Sequence, residues 1–415
     1  MQVQLDTRLH DRSDAREAAG ILRNCVHCGF CTATCPTYQL FGDELDGPRG
    51  RIYLIKQVLE GELPTSRTRL HLDRCLTCRA CETACPSGVE YGRLLDTGRA
   101  LVDERLPRTP LSRLGRIALA AALTGVVFRP AVVTGRLLRG LLPSRLRSSL
   151  LRRQSPGTWP RRALARRVLL LAGCVQPALA PNINAATARV LDALGIEVIL
   201  PPAAGCCGAI RHHLDEQARA LDDVRRNIDA WWPDVEAGAE AIVFNASGCG
   251  TMLKDYGQLL RDDLAYAGKA ARISALACDI AEIVAPHAAR IAERSAGAAS
   301  SGAGARRLVF HPPCSLQHGL ELRGIVEAIL VAAGGELLPF ADAQLCCGSA
   351  GTYSLLQPKT SRALRERKLA ALNAPSPDVI LSANIGCISQ LTDDAGPPVR
   401  HWIEWLDERL ARNTG

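Results

Sequence analysis

Cysteine is the residue type in this chain with the clearest chemistry, because seventeen of the 415 residues are cysteine and sixteen of them fall into repeating patterns. Cys25, Cys28, Cys31 and Cys35 are followed by Pro36, and Cys75, Cys78, Cys81 and Cys85 by Pro86, so both runs read C-x2-C-x2-C-x3-C-P. Residues Met1 to His10 show no positive segment leading into an apolar core. No export signal is expected, and in a reducing cytosol such thiols serve as metal ligands rather than as disulfides. Two-residue gaps let successive thiolates turn inward around one cube while the intervening N–H groups point at sulfur, which is iron–sulfur chemistry. Structural zinc also uses paired C-x2-C. Four ligands complete a zinc site, however, and leave no use for a third evenly spaced cysteine followed by x3-C-P.

The two runs match those of two-cluster ferredoxins, in which three close thiolates hold one cube and the fourth reaches the other. The match implies Cys25, Cys28, Cys31 and Cys85 around one [4Fe-4S] cluster and Cys75, Cys78, Cys81 and Cys35 around a second, with His27 nearby rather than ligating. Eight more cysteines form two copies of one pattern. Cys174 stands 32 residues before Cys206-Cys207-Gly208 and Cys249 lies 42 beyond, while Cys314 stands 32 before Cys346-Cys347-Gly348 and Cys387 lies 40 beyond. Each falls after an apolar run, at the carboxyl end of an expected strand, where open α/β sheets place their ligands. Four sulfurs are expected to converge in each copy. These features resemble the cysteine-rich CCG domains of the heterodisulfide reductases and their relatives. That family's fuller pattern ends in C-x2-C, and here the first of the pair is Ala246 or Asn384, leaving four candidate ligands per copy where the fuller pattern has five. The resemblance implies either an additional iron–sulfur cluster or a redox thiol site in this half. Cys278 lies outside the patterns and is expected to be a small buried hydrophobe. His212, His213, His311 and His318 adjoin the set as polar lining.

The elements that position these residues differ along the chain. Around the first eight cysteines the pattern is helical, as in Gly50 to Leu59 with apolar positions at helical spacing. From Arg166 short apolar runs alternate with helical stretches: Val168–Ala172, Glu197–Leu200 and Ala241–Phe244 as strands, with helices near 185–194 and from about 215. The order repeats in Leu308–Phe310, Glu336–Phe340 and Val379–Leu381, with helices near 324–333 and 361–372, an internal duplication. The expected architecture is therefore α+β and multidomain. A mainly helical two-cluster ferredoxin-type domain (1–106) precedes an Arg-rich helical linker (107–165) and duplicated parallel-sheet CCG domains (166–300 and 301–415).

Charge and absences narrow the function. The net charge is +8, yet fourteen arginines and no Lys, Asp or Glu lie between Arg108 and Arg167, which leaves −6 on the rest. Such a segment suits an anionic surface, either phospholipid or an acidic partner, or else is a linker with solvated arginines. Aromatics there are only Phe128 and Trp159, which gives no stacking platform for nucleic acid. Its longest uncharged apolar run, Ile117 to Phe128, is 12 residues, against about 20 for a spanning helix. Six prolines (107, 110, 130, 143, 156 and 160) are expected to cut the stretch into short pieces. No dinucleotide fingerprint or P-loop is present, so the two-electron chemistry of a flavin or nicotinamide must come from a partner.

Several longer segments resemble the bacterial glycolate oxidase iron–sulfur subunit family over nearly the whole chain: Cys25 to Tyr38, Gly47-Pro-Arg-Gly-Arg-Ile-Tyr53, Cys75 to Cys78, Asn227 to Trp232, Ala246 to Gly250, Cys346 to Tyr353 and Arg400 to Glu404. The resemblance implies an oxidoreductase complex in which two FAD-binding subunits oxidise glycolate to glyoxylate. This chain would relay the electrons to a quinone-type acceptor, peripherally on the cytoplasmic face of the membrane. Two alternatives stay open: the same role for D-lactate or glycerol 3-phosphate, and a thiol–disulfide reductase in which the CCG half does the chemistry.

Overall fold

In the computed structural model the chain is described over residues 1–141, 151, 154–299 and 307–411. Arg145, Arg147, Arg152 and Arg153 of the basic stretch, and the boundary expected at 300, lie outside the described residues. Two compact units emerge, one of residues 1–115, 317–319 and 344–368 and one of 116–316, 320–343 and 369–415.

The first unit is helical. Helices Ser13–Arg23, Pro48–Leu59, Ser66–Asp73 and Tyr91–Arg105 surround a core in which Leu22, Ile55, Leu59, Leu94, Leu95 and Leu101 are fully buried. Proline opens two of its helices, at Pro36 directly after Cys35 and at Pro48, where a missing N–H costs nothing. The segments from the second CCG copy are tied in by hydrogen bonds. His318 donates from Nε2 to Gln344 O and accepts at Nδ1 from the Thr83 hydroxyl, both at 3.0 Å, and the Tyr353 hydroxyl donates to Arg74 O at 3.0 Å.

The second unit holds two four-stranded, all-parallel sheets of identical order, β2-β1-β3-β4 and β6-β5-β7-β8. The strands are β1 Arg166–Leu170, β2 Ile196–Ile199, β3 Ile242–Phe244, β4 Ala277–Asp279, β5 Arg307–His311, β6 Glu336–Leu337, β7 Val379–Ser382 and β8 Val399–His401. Central strands are continuous apolar runs covered on both faces, as parallel sheets require. One core joins the lobes, running from Val168 and Leu170 through Ile183 and Leu191 to Leu308, Trp402 and Leu406. Helix Asn182–Ala193 packs on Trp402–Ala411, where Arg189 grips Asp407 at 2.6 Å.

The structure corrects the sequence expectation at four places. Strands β4 and β8 are additions to it, because three residues containing Cys278-Asp279 or Arg400-His401 carry no apolar run. Cys278 accordingly sits on β4 half-buried rather than buried, packed against the core. The apolar run Glu336–Phe340 of the second copy is strand only over Glu336–Leu337. The prolines do not fragment the basic stretch before 138. Pro110–Thr124 runs 15 residues and Phe128–Leu137 ten, because Pro110 opens the first helix and Pro130 falls in the first turn of the second.

Candidate iron–sulfur centres and thiol site

Both cysteine runs near the N-terminus fold as the same loop. The residues flanking the second cysteine are left-handed in each, His27 at φ 56° and Gly29 at 85°, Thr77 at 51° and Arg79 at 57°. This curl turns amide groups inward, and Thr77 N donates to Cys75 Sγ at 3.5 Å. A left-handed His, Thr or Arg costs on the order of 1 kcal/mol or more and persists only where the surroundings fix it. Short helices Phe30–Ala33 and Ala80–Thr83 then carry Cys31 and Cys81.

Two cavities open on these loops. One is lined by Cys25, Cys28, Cys31 and Cys85, with His27 on its wall, and the other by Cys35, Cys75, Cys78 and Cys81, the last of which also reaches the first. The fourth cysteine of each run therefore crosses to the cavity of the other, the partition implied by the ferredoxin match. Electrostatics divides them in the same way. Burial and the neighbouring Cys25, Cys28 and Cys85 push the Cys31 thiol up to about 11. Burial, then Cys78, Cys75, Glu82 and Cys35, drives Cys81 well above a free thiol. Clustered thiolates repel one another, and a bound cation removes that repulsion and keeps them deprotonated. The donor sets and their cavities fit iron–sulfur clusters.

Sequence reasoning missed what surrounds the second cavity. Arg51, 1% exposed, donates from Nε to His71 O at 2.7 Å and from Nη2 to the Thr37 hydroxyl at 3.1 Å. That hydroxyl lies 3.3 Å from Cys35 Sγ and donates to Asp46 O at 2.7 Å. The fully buried Asp46 carboxylate meets Arg74 at 2.7 Å, His71 Nδ1 at 3.0 Å and Arg51 at 3.5 Å. The Tyr91 hydroxyl donates to Cys75 Sγ at 3.7 Å. The Gly47-Pro-Arg-Gly-Arg51 segment was the available signal, but spacing alone does not show that its second arginine turns inward.

In the first CCG copy the four sulfurs converge. Cys174 follows β1, Cys206 and Cys207 end the loop after β2, and Cys249 lies in helix Ser247–Lys254 after β3. Cys206 hydrogen-bonds Cys174 and Cys207, accepts from Gly208 N at 3.5 Å and faces Arg211, and these together pull its thiol down to about 3. Cys174 and Cys207 are pushed up, chiefly by donating to Cys206. The turn is pinned from below: Gly205 N donates to Asn227 Oδ1 at 2.8 Å, Asn227 Nδ2 to Cys206 O at 2.7 Å, and the Tyr256 hydroxyl to Cys207 O at 2.9 Å. His212 and His213 end the helix Ala209–His213 that follows.

The second copy repeats the turn, with Gly348 N donating to Cys346 Sγ at 3.4 Å. Cys346 and Cys347 belong to the first compact unit, while Cys314 and Cys387 belong to the second. The buried His311 lies within 4.8 Å of Cys387. Asn384, where the fuller pattern has cysteine, donates to Cys387 Sγ at 3.7 Å and accepts from Gly248 N at 3.4 Å.

Two protein families match this chain. The 4Fe-4S dicluster domain family matches residues 21–89, and the cysteine-rich domain family matches twice, at 168–254 and 308–392. The glycolate oxidase iron–sulfur subunit of Escherichia coli K12 is 50% identical over 99% of this chain and 100% of its own length. The chain belongs to the glycolate oxidase iron–sulfur subunit family. A probable glycolate oxidase iron–sulfur subunit of Bacillus subtilis 168 is 29% identical over 94% of the chain and 91% of its own. Lactate utilization protein A of Geobacillus thermodenitrificans is 25% identical over 59% of this chain and 99% of its own, so the likeness to a lactate-linked protein covers a smaller part of this chain.

Proposed function

We propose that this chain is the electron-transfer subunit of a glycolate-oxidising complex and receives electrons from FAD on two partner subunits. Cys25, Cys28, Cys31 and Cys85 would hold one [4Fe-4S] cluster and Cys35, Cys75, Cys78 and Cys81 the other. The observation that carries this reading is the crosswise sharing of the fourth cysteines between two adjacent cavities. A cubane cluster supplies one-electron transfer at potentials set by charge, hydrogen bonds to sulfur and exposure. The protein holds the sulfurs, aims amides at them and keeps water from the second cavity by burying Cys35, Cys75 and Cys81. Cys28, exposed on the first loop, gives a partner an approach.

The acceptor is proposed to be quinone-like and the location the cytoplasmic face of the membrane. Helices Pro110–Thr124 and Phe128–Leu137 expose Leu111, Leu114, Val133 and Leu137 beside exposed Arg113 and Arg129, the composition of an interfacial helix pair. Among the described residues no single helix is long and apolar enough to cross a membrane. A second reading, a thiol–disulfide reductase, draws on Cys206, whose thiol is lowered by the hydrogen bonds from Cys174 and Cys207.

An anaerobic pull-down of tagged protein from its host, assayed for dye reduction with glycolate and D-lactate in parallel, separates these readings. Glycolate-driven reduction with flavin in the eluate supports the proposal, and reduction by lactate alone transfers the role to the sibling family. Absence of a flavin partner, with disulfide reduction lost on Cys206→Ser, favours the reductase.

A further inference from the structure

We infer that Arg51 makes the second cluster the more oxidising of the two, so that the first electron to enter the ferredoxin-type half rests on the Cys35, Cys75, Cys78, Cys81 centre. The inference rests on the cluster reading above.

The two cavities share a fold but not a charge environment. Beside the first, Arg49 pairs with Glu44 at 2.6 Å, with side chains 37% and 42% exposed, so water screens the pair and its net charge is zero. Beside the second lies a buried network in which Asp46 meets the guanidiniums of both Arg51 and Arg74, with the half-buried Asp43 carboxylate within 4.8 Å of Asp46 and His71 at its edge. Within it the positive charge of the fully buried Arg51 is not diffuse. Arg51 reaches the Thr37 hydroxyl at 3.1 Å, and that hydroxyl lies 3.3 Å from Cys35 Sγ, so one atom separates guanidinium from ligand sulfur. Burial opposes the charge of Arg51, and the nearby Cys75, Tyr91, Cys35 and Asp46 groups more than offset it. Glu82 is the acidic group that faces Cys81 from the other side, and Arg79 of the same loop also lines the cavity.

Reduction of a cubane adds one negative charge. A fixed cation in a low-dielectric setting favours the reduced form far more than an exposed one does, and the Tyr91 hydroxyl donating to Cys75 Sγ acts in the same direction. No proton or co-reactant is needed. The electron leaves the first cluster, which is oxidised, and reduces the second.

The consequence for direction follows from the same unit. Tyr353, on the segment carrying Cys346, donates to the carbonyl of Arg74, adjacent to ligand Cys75, and its phenol feels the charge of both Cys75 and Cys346. The electron is thus held at the end of the wire that adjoins the second CCG turn.

The test is a redox titration of the full-length, cluster-loaded protein followed by electron paramagnetic resonance, with the two signals assigned by Cys78→Ser. Arg51→Gln should raise the oxidised-to-reduced ratio of the second cluster at least tenfold at a fixed potential, about 59 mV for one electron, while the first cluster moves much less. Asp46→Asn should move the same ratio the opposite way, and Arg51→Lys should stay near wild type. Because a general lesion would shift both neutralised variants alike, shifts of the same sign, or none, overturn the inference. If Arg51→Gln fails to assemble its cluster, Asp46→Asn decides alone: an unchanged or lowered potential overturns it. Absence of both cubane signals in the wild type would instead overturn the cluster reading itself.

Discussion

Cys78 sits on the wall of the second cavity in a loop held by two left-handed neighbours, Thr77 and Arg79. Exchanging its sulfur for an oxygen keeps the loop and removes a soft ligand, so Cys78→Ser should erase one of two cubane resonance signals and stop glycolate-driven dye reduction. Retention of both signals would dismiss the assignment. A second residue argues about acid. His401 is fully buried, donates from Nε2 to Asn245 O at 2.8 Å and accepts at Nδ1 from Ile403 N at 3.1 Å, so neither nitrogen has room for another proton. Burial lowers its pKa to about 3. The folded state then binds fewer protons than the unfolded state between pH 6.5 and 3. Stability is fully present above about 6.5 and is lost as pH falls, by about 2 kcal/mol for the first 1.5 units. In urea melts the stability of the wild type relative to His401→Gln should therefore fall by about 2 kcal/mol from pH 7 to pH 5, while the buried Asp279 carboxyl, raised to about 7 by burial, acts in the opposite direction on both proteins alike. The cysteine spacings announced the ferredoxin ligands because iron–sulfur geometry constrains neighbours in sequence. Arg51, Asp46 and His71 stayed hidden, since what matters about them is a burial that arises only when three separate segments pack.

Turns and strands carry the next level. Gly208 ends the first CCG turn at φ 94°, and a Cβ there would meet Ala220 O at 3.0 Å. Gly348 does the same at φ 86°, with Ser361 O at 2.6 Å. Gly208→Ala should therefore cost about 1–3 kcal/mol through backbone strain and loosen the Cys206 amide contact. Its check is faster alkylation of Cys206 under native conditions, and an unchanged rate would show the turn to be held by Asn227 and Tyr256 alone. At this scale the sequence is legible where a run is long and apolar, as in Val168 to Leu170 and Val379 to Leu381. It is opaque at Ala277–Asp279 and Val399–His401, which become strands only because β3 and β7 offer them a ladder. Pro110 and Pro130 mislead because a proline at a helix start and one inside it look alike until the start is known.

The two sheets of the second compact unit share one core and a polar clasp. Arg189 makes three contacts to Asp407, at 2.6, 2.9 and 3.1 Å, and one to Asn182 Oδ1 at 2.9 Å, joining helix Asn182–Ala193 to the C-terminal helix. Arg189→Ala leaves a half-buried carboxylate without its cation and should cost about 1–3 kcal/mol. The thermal midpoint should fall with the two CCG copies still melting together. Two separate transitions would show that the clasp, rather than the apolar core, unites them.

Residues 317–319 and 344–368, encoded in the last quarter of the chain, complete the compact unit that begins at Met1. The ribosome releases the chain from the N-terminus, so the first eight cysteines emerge long before the segment bearing His318 and Tyr353. Until then, Thr83 and the carbonyl of Arg74 lack the partners they have in the finished protein. The ferredoxin-type half is begun first and finished near the end of synthesis.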